Sequence, residues 1–149
     1  MAASTSHTKA SSYTHTAWSK LCNAHRVSAV RTYRDLEAWQ AGMTLVEVSY
    51  RLTRGFPNDE RFGLSSQLRR AAVSVPSNVA EGACRRSTAA FANHVSIAIG
   101  SHAEVETCLE IARRLGYVSA VEMNQIMVPV DRAGRLLNGL HRSLLAKIH

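Results

Sequence analysis

Apolar residues recur at spacings of three and four in four successive stretches between Asp35 and Ile148, and this periodicity restricts the fold more than any other feature of the chain. Such spacing aligns side chains along one face of an α-helix. No stretch shows the sustained alternation of apolar and polar residues that is typical of a strand. The links between the stretches are short, which favours antiparallel neighbours. The sequence therefore predicts an all-α, antiparallel up-down-up-down four-helix bundle.

The first two helices are predicted over residues 35–54 and 59–82. The apolar face of the first is expected at Leu36, Trp39, Met43, Val46 and Tyr50, widened by Leu45, Val48 and Leu52. Asn58 is expected to cap the second helix, and Gly82 to follow its last turn. Pro76 lies inside this helix and predicts a kink. The second apolar face comprises Leu64, Leu68, Ala71, Ala72, Val75 and Val79.

The third and fourth helices are predicted over residues 87–115 and 119–147. Ser87 can cap the third, and Gly116 can end it. The third helix has two apolar lines, so it is either central in its bundle or buries one of its faces against another subunit. Ser119 and Glu122 form the S-x-x-E pattern of a capping box. Pro129 predicts a kink or a displaced start in the fourth helix.

The apolar residues of the third helix fall on two lines, and those of the fourth helix fall on one. One line carries Phe91, Val95, Ala98, Val105, Leu109 and Ala112, and the other carries Ile97, Ser101, Glu104, Cys108, Ile111 and Leu115. The fourth helix has a single apolar face, formed by Ile126, Val130, Ala133, Leu137, Leu140, Leu144 and Ile148.

Positive charge is concentrated before the first helix. The chain has 18 Lys and Arg against 11 Asp and Glu, a net charge of +7, and residues 1–31 contain four of the basic side chains and no acid. This Ser/Thr/His-rich segment lacks helical or strand periodicity and predicts a disordered basic tail, with residues 32–149 as the bundle domain. Translation from nearer Val27 or Val30 is an alternative interpretation. A basic chain favours an anionic partner such as RNA or DNA.

Two other features bear on the expected location of the protein. No run approaches the ~18 consecutive apolar residues of a membrane span. The N-terminus also lacks the apolar segment of a secretory signal. We therefore expect a cytoplasmic protein with no membrane partner.

Polar residues lie beside the apolar faces of the second and third helices. They are Gln67, Ser74, Asn78 and Glu81 on the second helix, and Ser101 and Glu104 on the third. We predict a buried polar network that sets the register of these two helices. A functional alternative pairs Glu81 with Glu104 for acid–base chemistry or metal binding. The Glu-x-x-His signature of bundle metal sites is missing at both carboxylates. We therefore expect no metal, no cofactor and no enzymatic activity.

Three pairs of adjacent arginines are the predicted nucleic-acid-binding residues. They are Arg69 and Arg70, Arg85 and Arg86, and Arg113 and Arg114. Arg85 and Arg86 precede the third helix, where cations and free backbone N–H groups suit a phosphate. The alternative is an ordinary solvated surface with ion pairs inside each helix. A symmetric oligomer would multiply the local charge density.

Several of these residues lie in stretches that resemble the motifs of a known protein family. The stretch from Phe56 to Ala72, FPNDERFGLSSQLRRAA, resembles the fP-x-x-E-x-(f)GL-x-x-Q-x-RRAA segment of the bacterial 23S rRNA intervening-sequence proteins, also called the S23 family. Residues 74–82, SVPSNVAEG, are similar to that family's S-I-P-x-N-I-A-E-G. Residues 100–104 resemble its GS-x-x-E, and the match continues to Leu115-Gly116-Tyr117. The resemblance covers about residues 33–144.

The resemblance implies a four-helix bundle that assembles as a homopentamer and has no enzymatic activity. It implies relatives encoded within 23S rRNA genes, and others that serve diversity-generating retroelements by binding nucleic acid and a reverse transcriptase through a basic surface. Two hypotheses follow for this chain. The first is an oligomeric accessory protein that binds RNA or assembles a ribonucleoprotein. The alternative is a protein–protein scaffold that binds no nucleic acid.

Overall fold

A computed structural model of the protein describes residues 32–148. Four helices dominate this range: α1 (Glu37–Leu52), α2 (Leu64–Ala83), α3 (Thr88–Arg114) and α4 (Ala120–Leu145). The helices pack mainly in a closed order, with α1 and α3 each lying between α2 and α4. The predicted all-α four-helix bundle is confirmed, and residues 32–148 contain no strand. The predicted tail, residues 1–31, lies outside the described residues.

Helix α1 is shorter than predicted because both of its ends tighten into 3₁₀ turns, Tyr33–Asp35 and Thr53–Gly55. The Thr32 hydroxyl accepts a hydrogen bond from the Arg34 backbone N–H at 3.2 Å. In return, the Asp35 carboxylate accepts the Thr32 N–H at 2.9 Å. This reciprocal capping satisfies backbone donors that the first turn leaves unpaired.

The predicted start of α2 at residue 59 is wrong. Asn58–Arg61 forms a separate 3₁₀ turn, and α2 begins at Leu64. The expected Asn58 cap is also absent: the Glu60 carboxylate accepts the Leu64 backbone N–H at 2.8 Å instead. Gly82 lies inside α2 and does not follow it, since the helix continues to Ala83.

The predicted signals at the ends of α3 and α4 are confirmed. Ser87 caps α3 by accepting the Ala90 N–H at 3.1 Å. Gly116 follows α3 with φ of 75°, the left-handed conformation that glycine adopts without a steric cost. Ser119 and Glu122 form the predicted capping box. The alternative of a displaced start for α4 is wrong, because the helix begins at Ala120 and continues through Pro129.

The predicted apolar face of α1 is correct only in part: Leu45 is fully buried, and Leu36, Trp39 and Val46 pack half-buried against the core. Met43 and Tyr50 are exposed, whereas the small residues of the helix are buried. The buried set is Ala38, Ala41, Gly42, Leu45 and Ser49. Gly42 lies so close to Pro76 of α2 that a Cβ at Gly42 would be 3.2 Å from the proline Cβ. Small residues face α2 because close approach of the two backbones leaves no room for larger ones.

The predicted apolar faces of α2, α3 and α4 are confirmed in their central parts, whereas Ile148 lies after the end of α4 and is exposed. Leu68, Val75, Val105, Leu109 and Leu137 are all fully buried in the main core. The second line of α3 is different: Ile97, Ile111 and Leu115 are exposed, and of that line only Cys108 joins the core. α3 therefore presents an apolar surface away from its own bundle.

Candidate nucleic-acid interface

Two groups of hydrogen bonds join α2 and α3 along the outside of the bundle. The hydroxyl oxygens of Ser74 and Ser101 lie 2.8 Å apart, and the Asn78 amide nitrogen donates to the Ser74 oxygen at 3.1 Å. Farther along, Gln67 donates to the Glu104 carboxylate. Because α3 residue numbers fall as α2 numbers rise, the two helices are antiparallel. We call the polar residues of this row the outer seam: Gln67, Ser74, Asn78, Glu81, Ser101 and Glu104.

The outer seam brings together the polar residues that the sequence predicted, but it is not buried. Gln67, Glu81 and Glu104 are exposed, and the two serines and Asn78 are half-buried. The prediction of a buried network is therefore wrong for the single chain. The reason is that these residues lie beside the apolar faces of α2 and α3, on the side turned away from the core.

His94 of α3 contacts the outer seam, although it is not among the site residues predicted from the sequence. Arg85 Nε donates to His94 Nε2 at 3.2 Å, and His94 Nδ1 lies 3.3 Å from the Asn78 side-chain oxygen. Because Nε2 accepts, Nδ1 carries the proton and donates to Asn78. The spacing of His94, Ile97 and Ser101 by three and four was the available indication, since it places them on one face of α3.

The alternative of a Glu81–Glu104 carboxylate pair is not formed. Glu81 pairs with Arg85, whereas Glu104 contacts Gln67, which precedes Glu81 by four turns of α2. At 1.5 Å per residue, the two carboxylates are about 20 Å apart along the helix. Burial, reinforced by the Glu104 charge, raises the pKa of the Cys108 thiol, which favours the unreactive protonated form. Within residues 32–148, no group of three or more His, Cys, Asp or Glu side chains could hold a metal ion.

The predicted arginine pairs lie at separate places on the α2–α3 surface. Arg113 and Arg114 end α3, and Arg85 and Arg86 lie before its start, about 40 Å away along the helix axis. Both Arg113 and Arg114 donate to Glu110 at 2.7 Å. These two hydrogen bonds, that of Arg113 first, lower the Glu110 pKa from 4.5 to about 2. One carboxylate thus offsets part of this positive charge.

Arg69 and Arg70 are placed differently from the other pairs. Within the described part of the chain, neither has a carboxylate within ion-pair distance, whereas Arg85 pairs with Glu81. Arg69 Nε donates to the Thr53 hydroxyl at 2.7 Å, and its guanidinium lies 4.9 Å from the ring centroid of Tyr50. Arg70 is exposed beside it. Of the six predicted residues, these two offer the least compensated charge.

Large apolar side chains lie exposed next to the outer seam. Ile97 is 46% exposed, Ile111 41% and Leu115 54%, all on α3, and Val73 of α2 is also exposed. The three α3 residues share one face of the helix, where Ile111 and Leu115 are adjacent. Ile97 lies about 21 Å from Ile111, with Ser101 and Glu104 between them, so the row is apolar at its two ends and polar in the middle. Exposed apolar rows rimmed by polar groups are typical of protein–protein contact surfaces.

These features define a class of protein: a helical bundle with a satisfied polar seam, an exposed apolar row and scattered arginine pairs. In residues 32–148, no helix is long and apolar enough to cross a membrane. The model of the 23S rRNA-intervening sequence protein family matches residues 34–139, which is most of the chain. The protein belongs to this family.

A solved structure shares the fold. It is a protein of unknown function from the S23 ribosomal protein family of Bacteroides thetaiotaomicron VPI-5482. The two chains superpose with a TM-score of 0.64 at 21% identity, over 70% of this chain and 95% of the other. At this identity the likeness establishes the architecture alone. A comparison with curated proteins gave no significant match.

Proposed function

We propose that the protein is a non-enzymatic, self-associating four-helix bundle that binds RNA, or another nucleic acid, through arginines on its surface. The observation that carries the proposal is that the same bundle exposes an apolar row on α3 and weakly compensated arginines on α2. The apolar row favours contact with another copy, and the arginines favour a polyanion. Such a protein would act as an accessory factor in ribonucleoprotein assembly, in the cytoplasm.

Self-association is supported by the chemistry of the α2–α3 surface. Within residues 32–148, the outer-seam side chains already hydrogen-bond to one another or to Arg85 and His94, so covering the seam with a second copy would leave fewer polar groups unpaired. The row of Ile97, Ile111 and Leu115 would then lose its contact with water. Five copies are the number that the family resemblance favours.

Assembly would also raise the local density of positive charge. Residues 32–149 carry 14 basic and 11 acidic side chains, a small excess for one chain. Rotational symmetry repeats each arginine pair once per copy around the axis, and a ring of cations attracts a polyanion more strongly than a single pair does. Of the three pairs, Arg69 and Arg70 should contribute most, since Arg85, Arg113 and Arg114 share carboxylates.

A salt titration of RNA binding tests the nucleic-acid part of the proposal. The logarithm of the binding constant should fall linearly with the logarithm of salt concentration, because bound counterions are released from the phosphates. Replacing Arg69 and Arg70 together with Ala should lower the slope by about 1.5 if both contact single-stranded phosphates. The Arg85 and Arg86 double variant should lower it less, and the Arg113 and Arg114 double variant least. No binding at low salt, or binding insensitive to salt, would contradict the proposal.

The second candidate is a protein–protein scaffold without a nucleic-acid role, and the exposed apolar row favours it independently. The row would then contact a different protein, for which a reverse transcriptase is one candidate given by the family resemblance. Native purification distinguishes the two functions. A stable assembly that contains protein alone and fails to bind RNA at low salt would favour the scaffold.

A further inference from the structure

A groove on the α1–α2 side of the bundle combines arginines with exposed aromatic rings. It encloses about 570 Å³ and is lined by Tyr50, Arg61, Phe62, Arg69 and Arg70, together with Val73 and two serines. This volume lies within the range of small-ligand sites. Three of the lining residues are cationic and none is acidic.

This groove differs from two other clefts of the described bundle because no carboxylate lines it. The cleft between α1 and α4 includes Glu122, and the cleft between α3 and α4 includes Glu106 and Asp131. A phosphate would meet like charge in both of those. In the α1–α2 groove the lining charges are all positive, so the groove is complementary to an anion.

Both aromatic side chains of the groove are exposed to solvent, and each lies beside an arginine guanidinium. Phe62 is 88% exposed and lies in the break between a 3₁₀ turn and α2. The Arg61 guanidinium lies 5.4 Å from the Phe62 ring centroid, and Arg69 stands 4.9 Å from the ring of Tyr50. Exposed rings and guanidinium planes are the surfaces on which unpaired bases stack. Arginines beside them can contact the backbone phosphates.

We infer that this groove binds single-stranded nucleic acid, with an unpaired base stacked on Phe62 and phosphates held by Arg61 and Arg70. The inference rests on the proposed function and specifies its substrate. A duplex keeps its bases stacked inside, so it offers phosphates to the arginines but no base to the ring. The groove therefore selects unpaired strands over duplexes.

The test uses the full chain and labelled probes: oligo(U) and oligo(dT) of about ten nucleotides, and an RNA duplex of the same length. Fluorescence anisotropy should show tighter binding of either single strand than of the duplex. Phe62→Ala should weaken single-strand binding about tenfold and leave duplex binding nearly unchanged, since one stacking contact is lost. Phe62→Tyr, which keeps a flat ring, should bind like the wild type. Equal affinity for oligo(U) and oligo(dT) would show that binding does not depend on the 2′-OH, as stacking on Phe62 requires, and tighter oligo(U) binding would show an added contact to the 2′-OH.

Two further variants measure the contribution of charge to binding separately from that of stacking. Arg70→Ala should lower the salt slope by about 0.7, because one phosphate contact is removed. Arg132→Ala removes an exposed charge from α4, outside the groove, and should leave the slope unchanged. If the wild type binds RNA but Phe62→Ala binds oligo(U) equally well, the groove assignment is wrong and the proposed function stands.

Two other outcomes would also overturn the inference. If the wild type binds no nucleic acid at low salt, the proposed function fails together with it. If Phe62→Ala lowers the native mass of the assembly, the groove is a contact between copies of the chain. Mass measurements on the wild type and the Phe62→Ala variant therefore accompany the binding assays.

Discussion

The hydroxyl of Ser74 in α2 lies 2.8 Å from the hydroxyl of Ser101 in α3, and this contact is the centre of the outer seam. Asn78 also donates to the Ser74 oxygen, which leaves the Ser74 proton for Ser101. Ser101 in turn donates to the Ile97 carbonyl at 3.2 Å. The relationship fixes the register of the two helices through side chains that are only half-buried.

Ser74→Ala should lower the free energy of unfolding by about 1–2 kcal/mol, because it removes the bonds to Ser101 and Asn78. Ser77→Ala is the matched control, since the Ser77 hydroxyl contacts only the Val73 carbonyl of its own helix at 2.8 Å. Urea denaturation at equal protein concentration measures the free energy of unfolding of both variants. Equal stability of the two variants would contradict a stabilising role for the seam.

Gly134→Ala should destabilise the protein by about 1–3 kcal/mol. An added Cβ at this position of α4 would lie 2.8 Å from His102 Cε1. The buried imidazole would have to move and lose its 2.8 Å hydrogen bond to the Val130 carbonyl.

Gly139→Ala on the same helix is the control, since no atom lies within 4 Å of its added Cβ. Alanine is the better helix former, so this variant should gain up to about 1 kcal/mol. If His102 packs against Gly134 as described, thermal melts should show a lower Tm for Gly134→Ala and a higher Tm for Gly139→Ala. A stabilised Gly134→Ala variant would show that His102 does not pack against Gly134.

Glu60→Gln should weaken the start of α2 and change the titration of Tyr117. Glu60 accepts the Leu64 N–H at 2.8 Å and the Tyr117 hydroxyl at 3.2 Å. Burial, and then the hydrogen bond and charge of Glu60, raise the Tyr117 pKa above its usual 10. In the variant this pKa should fall but remain above 10, because burial persists.

NMR titration of the ring carbon that bears the Tyr117 hydroxyl measures that shift. Tyr117→Phe should leave α2 capped and cost less stability than Glu60→Ala, which removes both bonds and about 1 kcal/mol of capping. An unchanged Tyr117 pKa in Glu60→Gln would contradict the contact.

Glu110 should titrate near pH 2, well below the ordinary 4.5. Because its pKa in the folded protein is lowered, the ion pairs with Arg113 and Arg114 favour folding above about pH 4.5. That contribution is lost as the pH falls toward 2. The side-chain carboxyl carbon signal of Glu110 in a pH series measures the midpoint. Arg113→Gln should raise it, and a midpoint near 4.5 in the wild type would contradict the pairing.

Periodicity alone predicted the four helices, but it did not predict that Ala38, Ala41 and Gly42 of α1 are buried while Met43 and Tyr50 are exposed. Leu, Trp, Met and Tyr outweigh Ala and Gly in any hydrophobic pattern, whereas the proximity of Gly42 to Pro76 requires small side chains there. The start of α2 was missed for a related reason. Its cap is the side chain of Glu60, four residues before Leu64, and the sequence offered Asn58 as a more typical candidate.

For the candidate site, local contacts were more accessible to sequence reasoning than distant ones. Glu110 precedes Arg113 and Arg114 by three and four residues, so their pairing follows from helix geometry. The stacking of Arg69 on Tyr50, and the groove that contains them, join residues from different helices. No spacing rule connects those positions, because their contact depends on how α1 packs against α2.

The native mass of the assembly tests the central claim, that the exposed row on α3 joins copies of the chain. Light scattering on the eluted protein should give a single species several times the 16.3 kDa of one chain. Ile97→Glu with Ile111→Glu should reduce it toward 16.3 kDa, whereas Val128→Glu, at an exposed apolar position on α4, should not. A wild-type mass near 16.3 kDa, or an assembly that survives the double substitution, would contradict the account.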